Sequence, residues 1–216
     1  MPVSIPAKKW RRKPSERPDE ITAAALACFA DVGFGGTRLQ DIAERAGVTT
    51  ALLYRYFPDK GAIFEATVRR FLVPSLAEVE SRVRARRGNP RAALAEVLTT
   101  WWAAMTDPRV AALPRVILAE THRFPAVAKL YAREVIGRRH RLLRDVLRWG
   151  ISTGEFRELS VDVAARVLAA PVHFGVIYGE ALGPYDDWSM PAEAYLAMAV
   201  ELAVAGVTSG KVGGAS

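Results

Sequence analysis

Apolar residues recur along this chain at intervals of three and four, and no stretch alternates in twos, so helices are expected throughout and the fold class is all-α. The first helix is expected from Ser15 or Pro18 to Val32, with Ile21, Ala25, Cys28, Phe29 and Val32 on one face. The "GFGG" that follows stops it, because glycine supplies the left-handed conformation a helix end uses. In "TRLQDIAERAG", Thr37 and Gln40 fit a T-x-x-Q capping box, and Leu39, Ile42, Ala43 and Ala46 form the buried stripe. Gly47 ends this helix after a few turns, and Thr49 stands where the next cap belongs.

Two helices joined only by Ala46, Gly47 and Val48 make a helix-turn-helix: Gly47 takes the turn, Val48 fills the angle, and Ala43 is small enough for a close crossing. An ordinary corner between helices uses the same glycine, so the surface of the second helix carries the distinction. In "TTALLYRYF", Leu53 and Phe57 are expected inward, leaving Thr50, Ala51, Tyr54 and Arg55 outward. Short residues at the start of a helix allow approach to base edges in a major groove, while hydroxyls and cations behind them reach phosphates. Tyr54 and Tyr56 have that reach, unless they are half buried against other parts of the fold. Pro58 fits the entry to the following helix, and Lys60 falls on its first turn, where an anion is favoured. Thr37 is expected to offer its hydroxyl from the start of the preceding helix.

The segment Thr37, Ile42, Ala43, Ala46, Gly47, Val48, Thr49, Leu53, Tyr54, Arg55, Tyr56, Phe57, Lys60, Ile63, Phe64 resembles the DNA-binding signature of the TetR/AcrR family of bacterial transcriptional regulators, across residues 17 to 66. The resemblance implies a three-helix DNA-binding domain, a larger helical domain for ligand binding and dimerisation, about nine helices in all, and repression relieved by a small molecule. It assigns phosphate contacts to Thr37, Thr49, Tyr54, Tyr56 and Lys60, and base contacts to Arg38, Thr50 and Ala51. The chain departs from the family's pattern at Ala51, often glycine, and at Gly61, often acidic. Residues 120 to 135, "ETHRFPAVAKLYAREV", are similar to the AefR-like branch.

The remaining periodicity predicts a helix over 59 to 86 interrupted near Pro74, then helices at about 90 to 106, 109 to 122, 125 to 152, 160 to 182 and 191 to 208, with prolines near several starts. The first of these joins the two domains and is suited to act as a lever between ligand and reading heads. The expected organisation is therefore a flexible basic arm at 1 to 17, a DNA-binding domain at 18 to 66, a ligand-binding and dimerisation domain at 67 to 208, and a flexible tail at 209 to 216. Trp101, Trp102, Met105, Leu118, His122, Phe124, Tyr131, His173, Phe174 and Tyr178 form a set able to line an apolar pocket, although each is also ordinary core material in a helical domain. Charge is scarce on those faces apart from Glu120 and Glu180, so a hydrophobic or aromatic effector is expected. Arg138, Arg139, Arg141, Arg144 and Arg148 read as a solvated face. The last two helices are apolar over much of their circumference, which calls for cover by a second subunit and hence a homodimer.

Composition adds less. The net charge of +7 suits a polyanionic partner, and the first 70 residues hold 12 Lys and Arg against 8 Asp and Glu, concentrated in "KKWRRKPSER". No apolar run near the length of a bilayer is evident, and no signal core opens the chain, so a cytoplasmic protein without a membrane partner is expected. The single Cys28 reads as a buried small residue. His122, His140 and His173 lack metal-ligand spacing, and no phosphate loop or nucleophile elbow occurs, so neither a cofactor nor catalysis is expected. Two other classes fit parts of the pattern: a helical small-molecule carrier or enzyme, which has no use for exposed Tyr54 and Lys60, and a non-specific DNA binder relying on the basic arm.

Overall fold

A computed structural model describes residues 17–86, 88–107, 111–120, 122–186 and 191–209. The basic arm up to residue 16 and the tail from 210 lie outside the described residues. The helices are α1 (Arg17–Gly36), α2 (Leu39–Arg45), α3 (Thr50–Tyr56), α4 (Lys60–Phe71), α5 (Val73–Ala85), α6 (Pro90–Thr106), α7 (Ala112–Glu120), α8 (Pro125–Tyr131), α9 (Gly137–Ser152), α10 (Val161–Ala181) and α11 (Ala192–Val207). The fold is all-α, and among the described residues the only extended pairing is one bridge between Phe156 and Thr208. Two of the expected helices are each divided: the linking helix breaks at Leu72 beside Pro74, and the expected helix at 125 to 152 contains a π turn, Ala132–Ile136. In that turn the Gly137 N–H bonds to the Ala132 carbonyl, one residue further back than in an α-helix.

The chain divides into two compact units, residues 1–67 and 68–216, with α4 running through the boundary. In the first unit Ile21, Phe29, Ile42, Leu53, Ile63 and Phe64 are fully buried. Gly33, at φ 75°, kinks the end of α1 and folds Phe34 back into the core. Phe29, Phe34 and Phe64 then meet as a ring trio, with centroids 5.3 to 5.5 Å apart. This corrects the expected inward face of α1: Val32 is 59% exposed, and Phe34 takes the inward place at the end of that helix. Gly47, at φ 64°, makes the turn between α2 and α3, a conformation costly for any residue with a Cβ. Cys28 is buried, as a small core residue should be.

In the second unit α6 is central and packs against α5, α9, α10 and α11. Its inward residues Leu94, Val97, Leu98, Trp101 and Met105 join Leu143, Val146 and Leu147 of α9 and Ala165, Ala169, Val172 and Val176 of α10 in one core. The outward sides of α10 and α11 remain apolar, with Val163, Val167, Phe174, Met198 and Leu202 each more than half exposed. A groove of about 350 Å³ between these two helices is lined by Val167, Leu168, Pro171, Tyr195, Met198 and their neighbours. One expectation fails on α10: the stretch Val161–Gly179 is by length and composition apolar enough to cross a membrane, although here it packs on α6, α9 and α11. Scattered Asp162, Arg166 and His173 hide this length from a search for unbroken apolar runs.

Candidate nucleic-acid interface and effector site

The turn at Gly47 sets α3 on α2 so that one side of a seven-residue helix is inward and the rest faces out. Leu53 is fully buried, and Phe57, just past the helix end, is half-buried. Thr49 caps α3 as expected, its hydroxyl accepting the Leu52 N–H at 3.2 Å. Ala51, Tyr54 and Arg55 are exposed, and Thr50 and Tyr56 are half-buried. Arg38 is exposed at the start of α2 and its N–H is held by the Asp41 carboxylate at 2.9 Å. These seven of the nine expected DNA-facing residues therefore keep some surface.

The other two turn inward. Thr37 does not cap α2; Arg38 does, and Thr37 is 2% exposed with its hydroxyl donating to the Gly33 carbonyl at 2.7 Å. The Gly33 carbonyl thus accepts twice from Thr37, from its backbone N–H at 3.3 Å and from its hydroxyl. Lys60 points at the same helix end: its ammonium donates to the carbonyls of Phe34 at 2.6 Å, Thr37 at 2.9 Å and Gly35 at 3.4 Å, and lies 4.6 Å from the Phe34 ring centroid. Three N–H donors thus meet three carbonyls, and the cation sits where the α1 dipole is negative. The N-terminus of α4 already has an anion of its own, since Asp59 accepts the Ala62 N–H at 2.8 Å. Sequence reasoning placed Lys60 by helix position alone: the stop at Gly33 was expected, but not that Lys60 reaches back to the carbonyls beyond it.

The ten expected effector residues separate more widely. Trp101 on α6, Tyr131 on α8 and His173 on α10 come into one cluster, completed by Arg139 and His140 of α9. The Trp101 indole is 1% exposed, with the His173 ring edge-on at 4.6 Å and the Arg139 guanidinium carbon 4.8 Å from its ring centroid. Met105 is buried in the same core. Trp102 faces another way, packing its ring 5.8 Å from that of Tyr195 on α11. Leu118 and His122 are exposed and Phe124 is half-buried as the cap of α8, because the turn after α7 lies at the surface. Phe174 is 60% exposed and stacks on Tyr178, whose hydroxyl donates to Asp186. Among the described residues, these six do not join the cluster around Trp101.

Arg139 is the residue that sequence reasoning missed. It was expected on a solvated face with Arg138, Arg141, Arg144 and Arg148, yet it is 4% exposed. Arg138, Arg144 and Arg148 do have carboxylate partners: Glu80, Asp162 and Asp145. A signal existed in the sequence, because Arg139 lies four and seven residues before the buried Leu143 and Val146, and the cluster of charges around it hid the pattern. The π turn assists, since its wider turn keeps Tyr131, Val135 and Arg139 on one inward line at intervals of four. Burial pushes the guanidinium down to about 10, with the Tyr131 hydroxyl acting the other way, so it is still charged at neutral pH. Burial also lowers His173 to about 4, helped by the positive charge of Arg139 and opposed by the Ala169 carbonyl, so its imidazole is neutral. Among the described residues no group of three or more His, Cys, Asp or Glu is placed to hold a metal ion.

The described residues thus form a small helical unit with a helix-turn-helix, followed in the chain by a larger helical unit with a buried polar cluster. Residues 21–67 match the family described as bacterial regulatory proteins, tetR family, and residues 84–188 match the tetracyclin repressor-like C-terminal domain. The chain belongs to the TetR family. Among curated relatives it is similar to the HTH-type transcriptional regulator RutR of Escherichia coli (strain K12), 42% identical over 73 residues that cover 34% of each protein. It is also similar to BetI of Burkholderia mallei (strain NCTC 10229), 31% identical over 121 residues, covering 48% of this chain and 62% of the relative. The chain thus matches from about a third to less than two thirds of these relatives' length. Among solved structures, FadR from Bacillus subtilis in complex with stearoyl-CoA superposes with a TM-score of 0.73 at 20% identity, over 88% of this chain and 98% of that one. The TetR-family regulator PfmR from Thermus thermophilus gives 0.64 at 23% identity, over 86% and 97%. At such identities these structures establish the shared fold.

Proposed function

We propose that the protein is a sequence-specific DNA-binding transcriptional regulator that reads a palindromic operator as a homodimer and leaves it when a small molecule binds the larger unit. The observation that carries this is α3: one residue, Leu53, anchors the helix, and Ala51, Tyr54 and Arg55 are left exposed beside the Thr49 cap. In this reading α3 enters the major groove, Thr50 and Ala51 approach base edges, Arg38 reads from the start of α2, and Thr49, Tyr54, Arg55 and Tyr56 hold phosphates. Thr37 and Lys60 act one step back, by fixing the end of α1. Ala51 adds a methyl group where the family often has glycine, which favours contact with a thymine methyl over closer backbone approach.

The dimer rests on the uncovered apolar sides of α10 and α11, a surface that a second copy would bury around a two-fold axis. A two-fold dimer reads two half-sites, spaced by about 34 to 36 Å or a multiple. Such a regulator works in the cytoplasm, where its DNA is, and α10 serves as a core and interface helix. Loss of DNA binding on effector binding would be carried through α5 and α4, which follow one another along the chain and lead from the larger unit back to the smaller one. Selection of bound sequences from a random duplex pool tests the reading: a palindrome should be enriched, and enrichment of no sequence would overturn it. Light scattering at micromolar concentration should give twice the chain mass of 23.6 kDa.

A further inference from the structure

The core of the larger unit contains a charge that no carboxylate among the described residues answers. Arg139 is 4% exposed, its Nη1 has no hydrogen-bond partner, and among the described residues no carboxylate pairs with it. What it does touch is the face of Trp101. The Trp101 indole Nε1 is likewise buried without a partner. The His173 Nδ1 faces the Ala169 carbonyl at 3.1 Å and so carries the proton, which leaves Nε2, also unpartnered, as a bare acceptor. Buried donors without acceptors are rare in a finished core, because each gives up its hydration for nothing. An isolated buried cation is rarer still.

The space beside Trp101 and Arg139 is small and shares a wall with a larger one. Trp101 and Arg139, with Leu76, Val79, Val97 and Leu142, line a gap of about 10 Å³, room for no more than a water molecule. Glu80 and Arg138, joined at 3.0 Å, line the same gap and also a groove of about 550 Å³ between α5 and α9. The groove has an apolar wall of Val83, Leu142, Val146 and Trp149, wide enough for the body of a small organic molecule, and a charged rim of Arg84, Arg141 and Asp145.

We propose that the effector is an apolar organic molecule bearing one carboxylate, and that this carboxylate docks on the Arg139 guanidinium and the Trp101 indole N–H behind the Glu80–Arg138 ion pair. The inference rests on the effector-binding reading above and narrows the ligand to a chemical class. A single buried positive charge matches a monoanion, and two fixed donors match its two oxygens. It adds one negative charge to the hydrophobic or aromatic effector expected from the sequence, because that expectation counted Arg139 among solvated residues. Entry requires the Glu80–Arg138 pair to part, which couples ligand arrival to a shift of α5 against α9.

Purified full-length protein is titrated with decanoate and 4-butylbenzoate, each beside the alcohol of the same skeleton, and binding is read from tryptophan fluorescence and thermal shift. At least one carboxylate should bind about tenfold or more tightly than its alcohol. Arg139→Met should bring that ratio to about one. Trp101→Phe, which keeps the ring and removes the N–H, should weaken the carboxylate about fivefold and leave the alcohol unchanged. Wild-type protein that binds neither carboxylate, or binds the alcohols equally well, overturns the proposal without any variant. So does a folded Arg139→Met protein that retains the tenfold preference. The duplex selection is independent: an enriched palindrome with no carboxylate preference removes this inference alone, whereas no enriched sequence removes the regulatory reading.

Discussion

Lys60 in the smaller unit and Arg139 in the larger one are both drawn inward, and their surroundings differ completely. Lys60 meets three carbonyls at the end of α1, and its charge completes a helix terminus that would otherwise lack donors. Arg139 meets the face of an indole and no acceptor for its Nη1. The smaller unit is a finished scaffold whose open chemistry is on its surface, on α3. The larger unit holds three buried polar atoms around Trp101 that have no hydrogen-bond partner among the described residues. A rigid reader needs the first condition, and a domain that responds to a ligand needs the second.

The largest expected effect is on the finished side. Phe64→Ala removes the ring that meets both Phe29 and Phe34, and should cost about 3 to 5 kcal/mol by chemical denaturation, with operator binding lost at growth temperature. If that substitution costs less than a third of this, the smaller unit is not the tightly packed scaffold described. Next is the pH response of the larger unit. His173 is lowered from its ordinary 6.5 to about 4, so the unfolded chain binds the proton first as pH falls. Stability from this group is full above about pH 6.5 and declines between there and pH 4, by up to roughly 3 kcal/mol. His173→Gln should flatten that part of the stability profile, and an unchanged slope would place the loss elsewhere.

The two cations give the sharpest contrast because the same substitution should act with opposite sign. Lys60→Met removes the ammonium's hydrogen bonds to the Phe34 and Thr37 carbonyls and should destabilise by about 2 kcal/mol. Arg139→Met removes an unanswered buried charge while filling its volume, so the ligand-free protein should be unchanged or more stable by about 1 kcal/mol or more. Equal losses in both would mean that Arg139 is as well satisfied as Lys60. The smallest effect concerns the surface: Tyr54→Phe should leave the melting temperature alone and weaken operator binding about fivefold through one phosphate contact.

Much of this was legible in the chain. The helix-turn-helix could be read because its determinants are local: Gly47 must turn, Thr49 must cap, and Leu53 and Phe57 must point inward. The units divide at 67 and 68, inside a continuous helix that offers no punctuation of its own. The effector residues were less legible. Trp101, Tyr131 and His173 converge, while Leu118, His122 and Phe174 stand at the surface, and residue type does not separate the two groups.

The amino-acid sequence by itself determined the helices, the turn between α2 and α3, and the outward identity of α3, since periodicity, caps and glycine act over a few residues. Tertiary structure alone decided the roles of Lys60 and Arg139. Each belongs to a helix whose local pattern permits a solvated charge. Lys60 meets carbonyls about 25 residues back along the chain, and Arg139 meets an indole on a different helix. Where a long cation goes depends on which distant groups lack partners, and only the folded chain brings those groups within its reach.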